Sequence, residues 1–385
     1  MIRGKNTLTK REFLKCGLLG TGAVLSGMGI PVDANPVSTL LSTPADKLWK
    51  WSKEGLYYSE TPRGIKCLIC PNECTLKENE VSTCHNRVNI DNKLYTIAYG
   101  NPCAVHIDPV EKKPLYHFLP SSSAFSIATA GCNFACLNCQ NWTISQVSPK
   151  DTQNYDLMPP RVVEECLKNR CESIAYTYSE PLTFYEYTLD TSKIAREKGI
   201  KNILVSAGYI NEEPLRNLCK YIDAANINLK SFKESIYLKL NAGKLQPVLN
   251  ILKIMKEEGV WLEITNLVIP GWTDDMAMIK EMCTWLHDNG FDDTPLFFNR
   301  FQPLYKLTQL PATPLATLAK AREIALQAGL KYVYSGNVPG SSSENTSCPK
   351  CKKMVILRKG FSILENNLDK GNCKFCGEKI PGVWS

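Results

Sequence analysis

Hydrophobic and polar positions between residues 124 and 335 follow two alternating patterns. Short runs rich in β-branched and aromatic residues give way to amphipathic stretches of helical period, six or seven times in succession. This alternation predicts an α/β fold with a parallel sheet, arranged as a partial or complete (β/α) barrel. The predicted strands are 124–130, 173–178, 202–206, 224–229, 261–268, 296–301 and 332–334. The predicted helices are 162–168, 184–198, 213–221, 276–289 and 315–327.

Changes in composition divide the 385 residues into a large domain with smaller flanking segments. Serine-rich stretches at 121–123 and 341–343 bracket the barrel. The net charge of +7 is modest, and it is not concentrated in a basic tract, so a nucleic-acid partner is not expected. The predicted segments are a leader at 1–34, a linker at 35–60, a cysteine-rich module at 61–120, the barrel at 121–340 and a second cysteine module at 341–385.

The leader has the pattern of a twin-arginine export signal. Lys10-Arg11 stands in place of the strict arginine pair, apolar residues run from 17 to 30, and Ala34 ends a cleavage-like site. The apolar run is too short and too rich in glycine for a stable membrane span. The pattern slightly favours export of the folded protein over an uncleaved helix on a cytoplasmic protein.

Most of the 17 cysteines fall in metal-type groups. Cys132, Cys136 and Cys139 form a C-x3-C-x2-C loop directly after the first predicted barrel strand, where barrels place reacting groups. Three thiolates can bind three irons of a [4Fe–4S] cluster and leave the fourth iron open for another ligand. A zinc site is less favoured, because no histidine lies between His117 and His287 to complete it.

Two further groups of four cysteines flank the barrel. Cys348, Cys351, Cys373 and Cys376 form two C-x2-C pairs, which predict a zinc ribbon. The upstream group can hold zinc, which the spacing slightly favours, or an auxiliary cluster that relays electrons. Its four members are Cys67, Cys70, Cys74 and Cys84.

The C-x3-C-x2-C loop resembles that of radical S-adenosylmethionine enzymes. With the runs 108–118, 131–142 and 380–384, the chain from Cys67 to Trp384 is similar to the AmmeMemoRadiSam-system members of that superfamily. These enzymes are related to the pyruvate formate-lyase activating enzymes. The resemblance implies a partial (β/α)6-type barrel that binds a [4Fe–4S] cluster and S-adenosylmethionine.

The resemblance also implies a reaction. The cluster would reduce S-adenosylmethionine, giving methionine and a 5′-deoxyadenosyl radical that takes hydrogen from a substrate. It implies a low-potential electron donor such as flavodoxin or ferredoxin, and cooperation with Memo-type and AMMECR-type proteins. It does not identify the substrate, which could be a glycine of a protein or a small molecule.

Residues at the predicted strand ends are the expected contacts to S-adenosylmethionine. Ser179 and Glu180 resemble the motif that binds the methionine amino group, and Lys230 would lie near its carboxylate. Asn228 stands where the activating enzymes usually have aspartate, and Phe297 where relatives usually have histidine. Ile269 and Gly271 belong to the turn expected on the adenine side. The remaining expected contacts are Ser206, Gly208, Arg300 and Asn337.

Two alternatives from other classes stay open on the sequence alone. A non-enzymatic iron–sulfur and zinc protein for electron transfer or scaffolding would show redox activity but form no 5′-deoxyadenosine. A nucleic-acid-modifying enzyme is suggested weakly by the positive charge and the zinc ribbon, and it would bind RNA in a salt-sensitive manner.

Overall fold

The computed structural model describes residues 48–338 and 340–385. The predicted leader at 1–34 and the first half of the linker, residues 35–47, lie outside the described residues. Within the described part, no helix is long and apolar enough to cross a membrane.

The cysteine-rich module before the barrel consists of six short strands in two antiparallel sheets. One sheet has the order β1-β6-β5 and the other β2-β3-β4. Cys67 ends a strand, whereas the other three cysteines of the module lie in its loops. The strands are β1 (Lys53–Glu54), β2 (Tyr58–Thr61), β3 (Gly64–Cys67), β4 (Thr75–Leu76), β5 (Arg87–Ile90) and β6 (Lys93–Thr96).

The central sheet has eight strands in sequential order from β7 to β14. The first pair, β7 and β8, is antiparallel, and all the following pairs are parallel. The parallel strands are almost continuously buried, as expected for a sheet covered by helices. The strands are β7 (Ala104–Pro109), β8 (Ser123–Ala128), β9 (Ser173–Tyr176), β10 (Lys201–Ser206), β11 (Ala224–Asn228), β12 (Trp261–Val268), β13 (Leu296–Arg300) and β14 (Val333–Gly336).

The helices of the barrel connect consecutive parallel strands. Where α5 ends, one π-helical turn, Tyr237–Asn241, continues the chain. The helices are α1 (Trp142–Ser145), α2 (Pro159–Lys168), α3 (Tyr185–Glu197), α4 (Glu212–Cys219), α5 (Glu234–Ile236), α6 (Leu245–Glu257), α7 (Met276–Asp288) and α8 (Leu315–Gln327).

The predicted α/β alternation is confirmed, and all seven predicted strands lie within two residues of observed ones. The seven parallel strands match the seven predicted from the pattern, whereas the resemblance implied a (β/α)6-type barrel. Two details differ from the pattern: β7 joins the sheet from the segment assigned to the cysteine-rich module, and α1, α5 and α6 were not in the predicted set. Pro247 obscures α6 in the sequence, yet it stands in the first turn, where its missing N–H costs no helical hydrogen bond.

A segment between β7 and β8 enters the barrel interior. The backbone N–H groups of Tyr116 and His117 donate to the Glu263 carboxylate of β12, both at 2.8 Å. The Asn226 amide of β11 donates to the carbonyl of Pro114 at 2.9 Å. Residues 110–117, here called the inner segment, therefore fill one end of the barrel.

The C-terminal module packs against the inner segment. The Arg358 guanidinium donates to the Tyr116 carbonyl at 2.8 Å and lies over the Tyr116 ring. The backbone N–H of Val383 donates to the His117 carbonyl at 2.8 Å. The strands of this module are β15 (Thr346–Ser347), β16 (Met354–Lys359), β17 (Ser362–Asn366), β18 (Leu368–Asp369) and β19 (Asn372–Cys373).

His117 has a structural environment. Its Nδ1 lies 2.7 Å from the Pro381 carbonyl oxygen, which can only accept, so Nδ1 carries the proton. Its Nε2 then accepts from the Tyr334 hydroxyl at 2.7 Å. Burial lowers the pKa of His117 to about 3, so the ring stays neutral. His117 is therefore a hydrogen-bonded structural histidine.

Candidate functional site

The three-cysteine loop follows β8 and is anchored by the π-helical turn. The backbone N–H of Ala135 donates to the Asn241 carbonyl at 3.0 Å, and that of Leu137 donates to the Leu240 carbonyl at 2.9 Å. These two bonds join segments more than 100 residues apart in sequence. The turn therefore fixes the backbone between the first and third cysteines of the loop.

Two N–H groups point at sulfur atoms of the loop. The Asn241 amide donates to Cys136 Sγ at 3.2 Å, and the Phe134 backbone N–H donates to Cys132 Sγ at 3.4 Å. Burial raises the pKa of the Cys132 and Cys139 thiols, so metal loading must displace protons from the bare loop.

Replacement of Asn241 by leucine is expected to lower the reduction potential of a cluster bound on the loop. The substitution removes a hydrogen bond to a ligand sulfur, and such bonds favour the reduced, more negative cluster. An anaerobic redox titration followed by electron paramagnetic resonance (EPR) measures the potential. Asn250→Leu, on the exposed side of α6, is the control. An unchanged potential in Asn241→Leu would contradict the role of this amide.

A cavity of about 660 Å³ opens above the loop, at the carboxyl ends of the strands. All three loop cysteines line it, and strands β9, β10, β11 and β14 each add predicted contacts. Nine of the predicted site residues thus line this one cavity. They are Cys132, Cys136, Cys139, Ser179, Glu180, Ser206, Asn228, Lys230 and Asn337.

Glu180 joins the ends of two strands. It accepts from the Ser206 hydroxyl at 2.6 Å and from the Ala207 backbone N–H at 2.8 Å, with a longer bond from Leu182 N–H. Burial raises the pKa of Glu180, and these three donors oppose that shift. Each carboxylate oxygen can accept two hydrogen bonds, so capacity remains for an ammonium group in the cavity.

Lys230 supplies positive charge beside the loop. Burial would lower its pKa, but the thiolates of Cys136, Cys132 and Cys139 together with Glu180 outweigh that effect and raise it. Its backbone N–H donates to the Tyr237 hydroxyl at 3.1 Å, which ties the strand end to the π-helical turn. The cavity therefore places a cation next to three thiols and a carboxylate.

The C-terminal cysteines form a second, tighter group. The ligand atoms of Cys348, Cys351, Cys373 and Cys376 all lie within 4.8 Å of one another. The sulfurs of Cys348 and Cys376 are 3.6 Å apart, and those of Cys351 and Cys373 are 3.7 Å apart. Four sulfurs at this spacing are compatible with one tetrahedral metal ion.

Comparison with known proteins identifies the family. Residues 126–286 match the model of the Radical SAM superfamily. An uncharacterized protein of Methanocaldococcus jannaschii, MJ0808, is 44% identical over 334 residues, covering 86% of this chain and 99% of that protein. This chain belongs to the radical SAM superfamily.

Other relatives are more distant. Pyruvate formate-lyase 1-activating enzyme of Escherichia coli K12 is 24% identical over 164 residues, covering 42% of this chain and 67% of the enzyme. Among solved structures, a domain of pyruvate-formate lyase-activating enzyme from Bacteroides vulgatus has 15% identity and a TM-score of 0.37, covering 43% of this chain and 99% of that domain.

The superfamily implies a [4Fe–4S] cluster and S-adenosylmethionine, and the residues of the cavity fit both. Three thiols that form no disulfide lie on one loop at the cavity floor. A cation and a carboxylate acceptor lie beside them, as the carboxylate and the ammonium of S-adenosylmethionine require. Cys132, Cys136 and Cys139 would hold the cluster of this radical SAM protein.

Four predicted contacts of the radical SAM site are not among the residues that line the cavity. Gly208 has φ +67°, and a Cβ there would lie 2.7 Å from Ile251 of α6, so this glycine permits helix packing. Ile269 is buried among apolar side chains, whereas Gly271 lies in an exposed turn held by Asp274. The Arg300 guanidinium donates to the Thr313 carbonyl at 2.9 Å.

The structure also adds residues that the sequence did not indicate. Lys112 and Lys113 of the inner segment line the cavity, and both contact Asp108, at 2.8 and 2.5 Å. The Tyr178 hydroxyl also donates to Asp108. Although burial opposes ionisation, these three groups hold the pKa of Asp108 well below its usual range. The lysine pair at 112–113 was the available signal, but its distance from the loop in sequence concealed its place.

Asn299 is a further lining residue that sequence reasoning missed. Its buried Oδ1 has no hydrogen-bond partner within the described part of the chain. A Cβ on Gly336 of the neighbouring strand would lie 1.9 Å from that oxygen. Gly336 is therefore needed for the Asn299 amide to occupy its place in the wall.

Proposed function

We propose that this radical SAM protein is an enzyme that splits S-adenosylmethionine reductively and takes a hydrogen atom from a substrate, as an activating enzyme does. The observation that carries the proposal is the shared cavity. It brings the three thiols of the loop, the Lys230 ammonium and the buried Glu180 carboxylate to one place. Holding the buried Glu180 carboxylate and the partly buried Lys230 ammonium beside the thiols costs desolvation, which binding of a zwitterionic ligand in the cavity would offset.

The residues divide the recognition of S-adenosylmethionine between its two ends. Glu180 and Ser179 would orient the methionine ammonium, and Lys230 would pair with the methionine carboxylate. The bound cluster supplies the electron that breaks the carbon–sulfur bond, giving methionine and the 5′-deoxyadenosyl group as a radical. The surrounding walls, including Phe297 and Asn299, exclude water from the reacting groups.

The substrate class is the finer part of the proposal. The similarity to a protein named pyruvate formate-lyase 1-activating enzyme supports hydrogen abstraction from a glycine of a partner protein. A low-potential donor such as flavodoxin or ferredoxin would supply the electron. Memo-type and AMMECR-type proteins are the first candidate partners to add to an assay.

Formation of 5′-deoxyadenosine tests the proposal. The protein is reconstituted anaerobically with iron and sulfide, reduced with dithionite and supplied with S-adenosylmethionine. We expect 5′-deoxyadenosine and methionine in equal amounts, and none from Cys136→Ala. Full turnover by Cys136→Ala would overturn the assignment. Cluster-loaded protein that forms no product, alone or with candidate partners, would favour a non-enzymatic electron carrier.

We also propose that the C-terminal group binds structural zinc, and that zinc holds this module against the barrel. Cys348 and Cys373 are buried in one apolar cluster with Tyr116 and Tyr334 of the barrel end. Removal of zinc should unfold the module, because binding energy of such sites is folding energy.

Substitution of Cys351 by serine is therefore expected to abolish zinc binding at this group and lower the melting temperature by several degrees. Elemental analysis and thermal denaturation followed by circular dichroism measure the two effects. Cys103→Ser, at a partly buried cysteine outside the three groups, is the matched control. Full zinc content in Cys351→Ser would contradict the ligand assignment.

A further inference from the structure

The four cysteines of the upstream module converge on a cavity of their own. Cys67, Cys70, Cys74 and Cys84 all line a space of about 20 Å³. A space of this size holds a water-sized sphere.

The distance between the ligand sulfurs distinguishes a zinc site from an iron–sulfur cluster site. Within the described residues, the C-terminal cysteines are the one group of three or more metal-binding side chains whose ligand atoms all lie within 4.8 Å. Neither the three-cysteine loop nor any three of the upstream cysteines meet this condition. Zinc–sulfur bonds of about 2.3 Å place four sulfurs less than about 4 Å apart. An iron–sulfur cube holds its ligand sulfurs further apart, because each binds a different iron.

We propose that Cys67, Cys70, Cys74 and Cys84 bind a second [4Fe–4S] cluster. The upstream group shares its wider spacing with the loop of Cys132, for which the superfamily implies a cluster, and not with the compact C-terminal group. This proposal departs from the sequence analysis, in which the spacing of the four upstream cysteines slightly favoured zinc.

The charge around the cavity matches an anionic cluster. Arg87 is 1% exposed and lines the cavity, and one of its nitrogens pairs with Glu186 at 2.7 Å. Its Nη2 has no hydrogen-bond partner within the described residues. A buried guanidinium with free N–H groups is costly unless an acceptor lies near. Four thiolates on an iron–sulfide core carry net negative charge and supply such acceptors.

Hydroxyl groups also face the ligand sulfurs. Ser82 Oγ lies 3.1 Å from Cys84 Sγ, and Thr83 Oγ1 lies 3.4 Å from Cys74 Sγ. Hydrogen bonds to cluster sulfurs are among the factors that set a reduction potential. The module therefore provides four ligands, a cation and two hydroxyl donors around one enclosed space.

The second cluster site touches the first through both neighbours of Cys132. Asn133, the residue directly after Cys132, lines the upstream cavity. On the other side, a Cβ on Gly131 would lie 2.4 Å from the Cys84 carbonyl oxygen, and φ at Gly131 is +98°. Only glycine fits this approach without strain. The two groups of thiols are thus in direct backbone contact.

This adjacency assigns the second cluster a role in electron supply, which rests on the proposed function. Glu73 and Thr83, both exposed, form the outer rim of the upstream cavity. A low-potential one-electron donor of the flavodoxin or ferredoxin class would dock at this rim and be oxidised by one electron. The second cluster would take up that electron and return to its oxidised state on passing it to the loop site.

Metal content tests the site without reference to activity. A full-length variant with Cys132, Cys136 and Cys139 all changed to alanine is purified and reconstituted anaerobically. We expect about four irons and four sulfides per chain to remain, with an EPR signal after reduction that S-adenosylmethionine does not alter. Zinc should stay near one per chain, which also reports a folded C-terminal module. An iron-free variant, with or without a second zinc, would overturn the proposal.

The reciprocal variant keeps the loop intact. Cys70→Ala with Cys74→Ala removes two ligands at the rim, and iron should fall from about eight to about four per chain. The remaining signal should respond to S-adenosylmethionine. Failure of that response alone would count against the proposed function and leave the second cluster standing. Cys103→Ser should keep the full iron content.

The relay has its own measurement. Dithionite is small and can reduce the loop cluster directly, so Cys70→Ala/Cys74→Ala should keep most dithionite-driven 5′-deoxyadenosine formation. With reduced flavodoxin as the donor, the rate of 5′-deoxyadenosine formation by the same variant should fall at least about tenfold, which corresponds to about 1.4 kcal/mol in the activation free energy. Equal losses with both donors would overturn the relay.

Discussion

Replacement of Lys230 by methionine should reduce 5′-deoxyadenosine formation by about 100-fold or more. The substitution removes the cation that lies beside Glu180 and the three loop sulfurs, and with it the expected charge-assisted contact to the methionine carboxylate; removing one partner of a desolvated charge pair costs about 3 kcal/mol or more. A loss of that size in transition-state stabilisation corresponds to a rate factor of about 100 to several thousand. Binding of S-adenosylmethionine should weaken most, because its carboxylate loses the partner.

The measurements for Lys230→Met are turnover, iron content and the affinity for S-adenosylmethionine. Iron content should stay close to that of the unaltered protein, which separates loss of the substrate contact from loss of the cluster. Lys233→Met is the matched control, since Lys233 lies three residues away and pairs with Asp275 at the surface. Lys230→Arg should recover part of the affinity. Unchanged affinity in Lys230→Met would contradict the proposed contact.

Gly243→Ala should weaken the binding of a cluster by the three-cysteine loop. A Cβ at residue 243 would lie 2.0 Å from the ring of Phe134, which stands between the first two cysteines of the loop. The ring cannot yield freely, because it also packs against Tyr209. Overpacking of this kind costs about 1–3 kcal/mol and displaces backbone. Iron bound at the loop should fall several-fold.

A second substitution separates crowding from a general defect at this glycine. Phe134→Ala combined with Gly243→Ala removes the ring that the new methyl group would strike. Iron content and the EPR signal that responds to S-adenosylmethionine should then recover relative to Gly243→Ala alone. A double variant as poor as the single variant would mean that residue 243 acts through something other than contact with Phe134.

The sequence predicted those features that depend on spacing along the chain. The alternation of strands and helices located the sheet, and C-x3-C-x2-C located the loop after β8. Glu180 and Lys230 could be found because they closely follow the ends of β9 and β11, and the carboxyl ends of parallel strands meet at one edge. Ile269 and Arg300 also end strands, yet local turns direct them into the core or towards Thr313. Strand position predicts the edge but not the direction of a side chain.

Other features depend on contacts between distant segments. Asn241 reaches Cys136 across 105 residues, and no motif marks it. Lys113 reaches the cavity only because the inner segment enters the barrel. The sequence did not predict this entry, because β7 is not part of the βα alternation. The metal of the upstream cysteines depends on how far apart folding holds their sulfurs, a quantity that C-x2-C spacing leaves open.

The inner segment gives the barrel a dependence on the timing of synthesis. Its first half borders the cavity through Lys112 and Lys113, and its second half is held by Val383 and by Pro381 through His117. On the ribosome, every barrel strand is made before residues 380–384. The cavity therefore cannot be completed while the barrel is being synthesised. Iron that binds the loop at that stage would lie in a cavity whose walls are incomplete. Because residues of the C-terminal module also line the cavity, we expect newly made chains to complete the site only after this module has packed against the barrel.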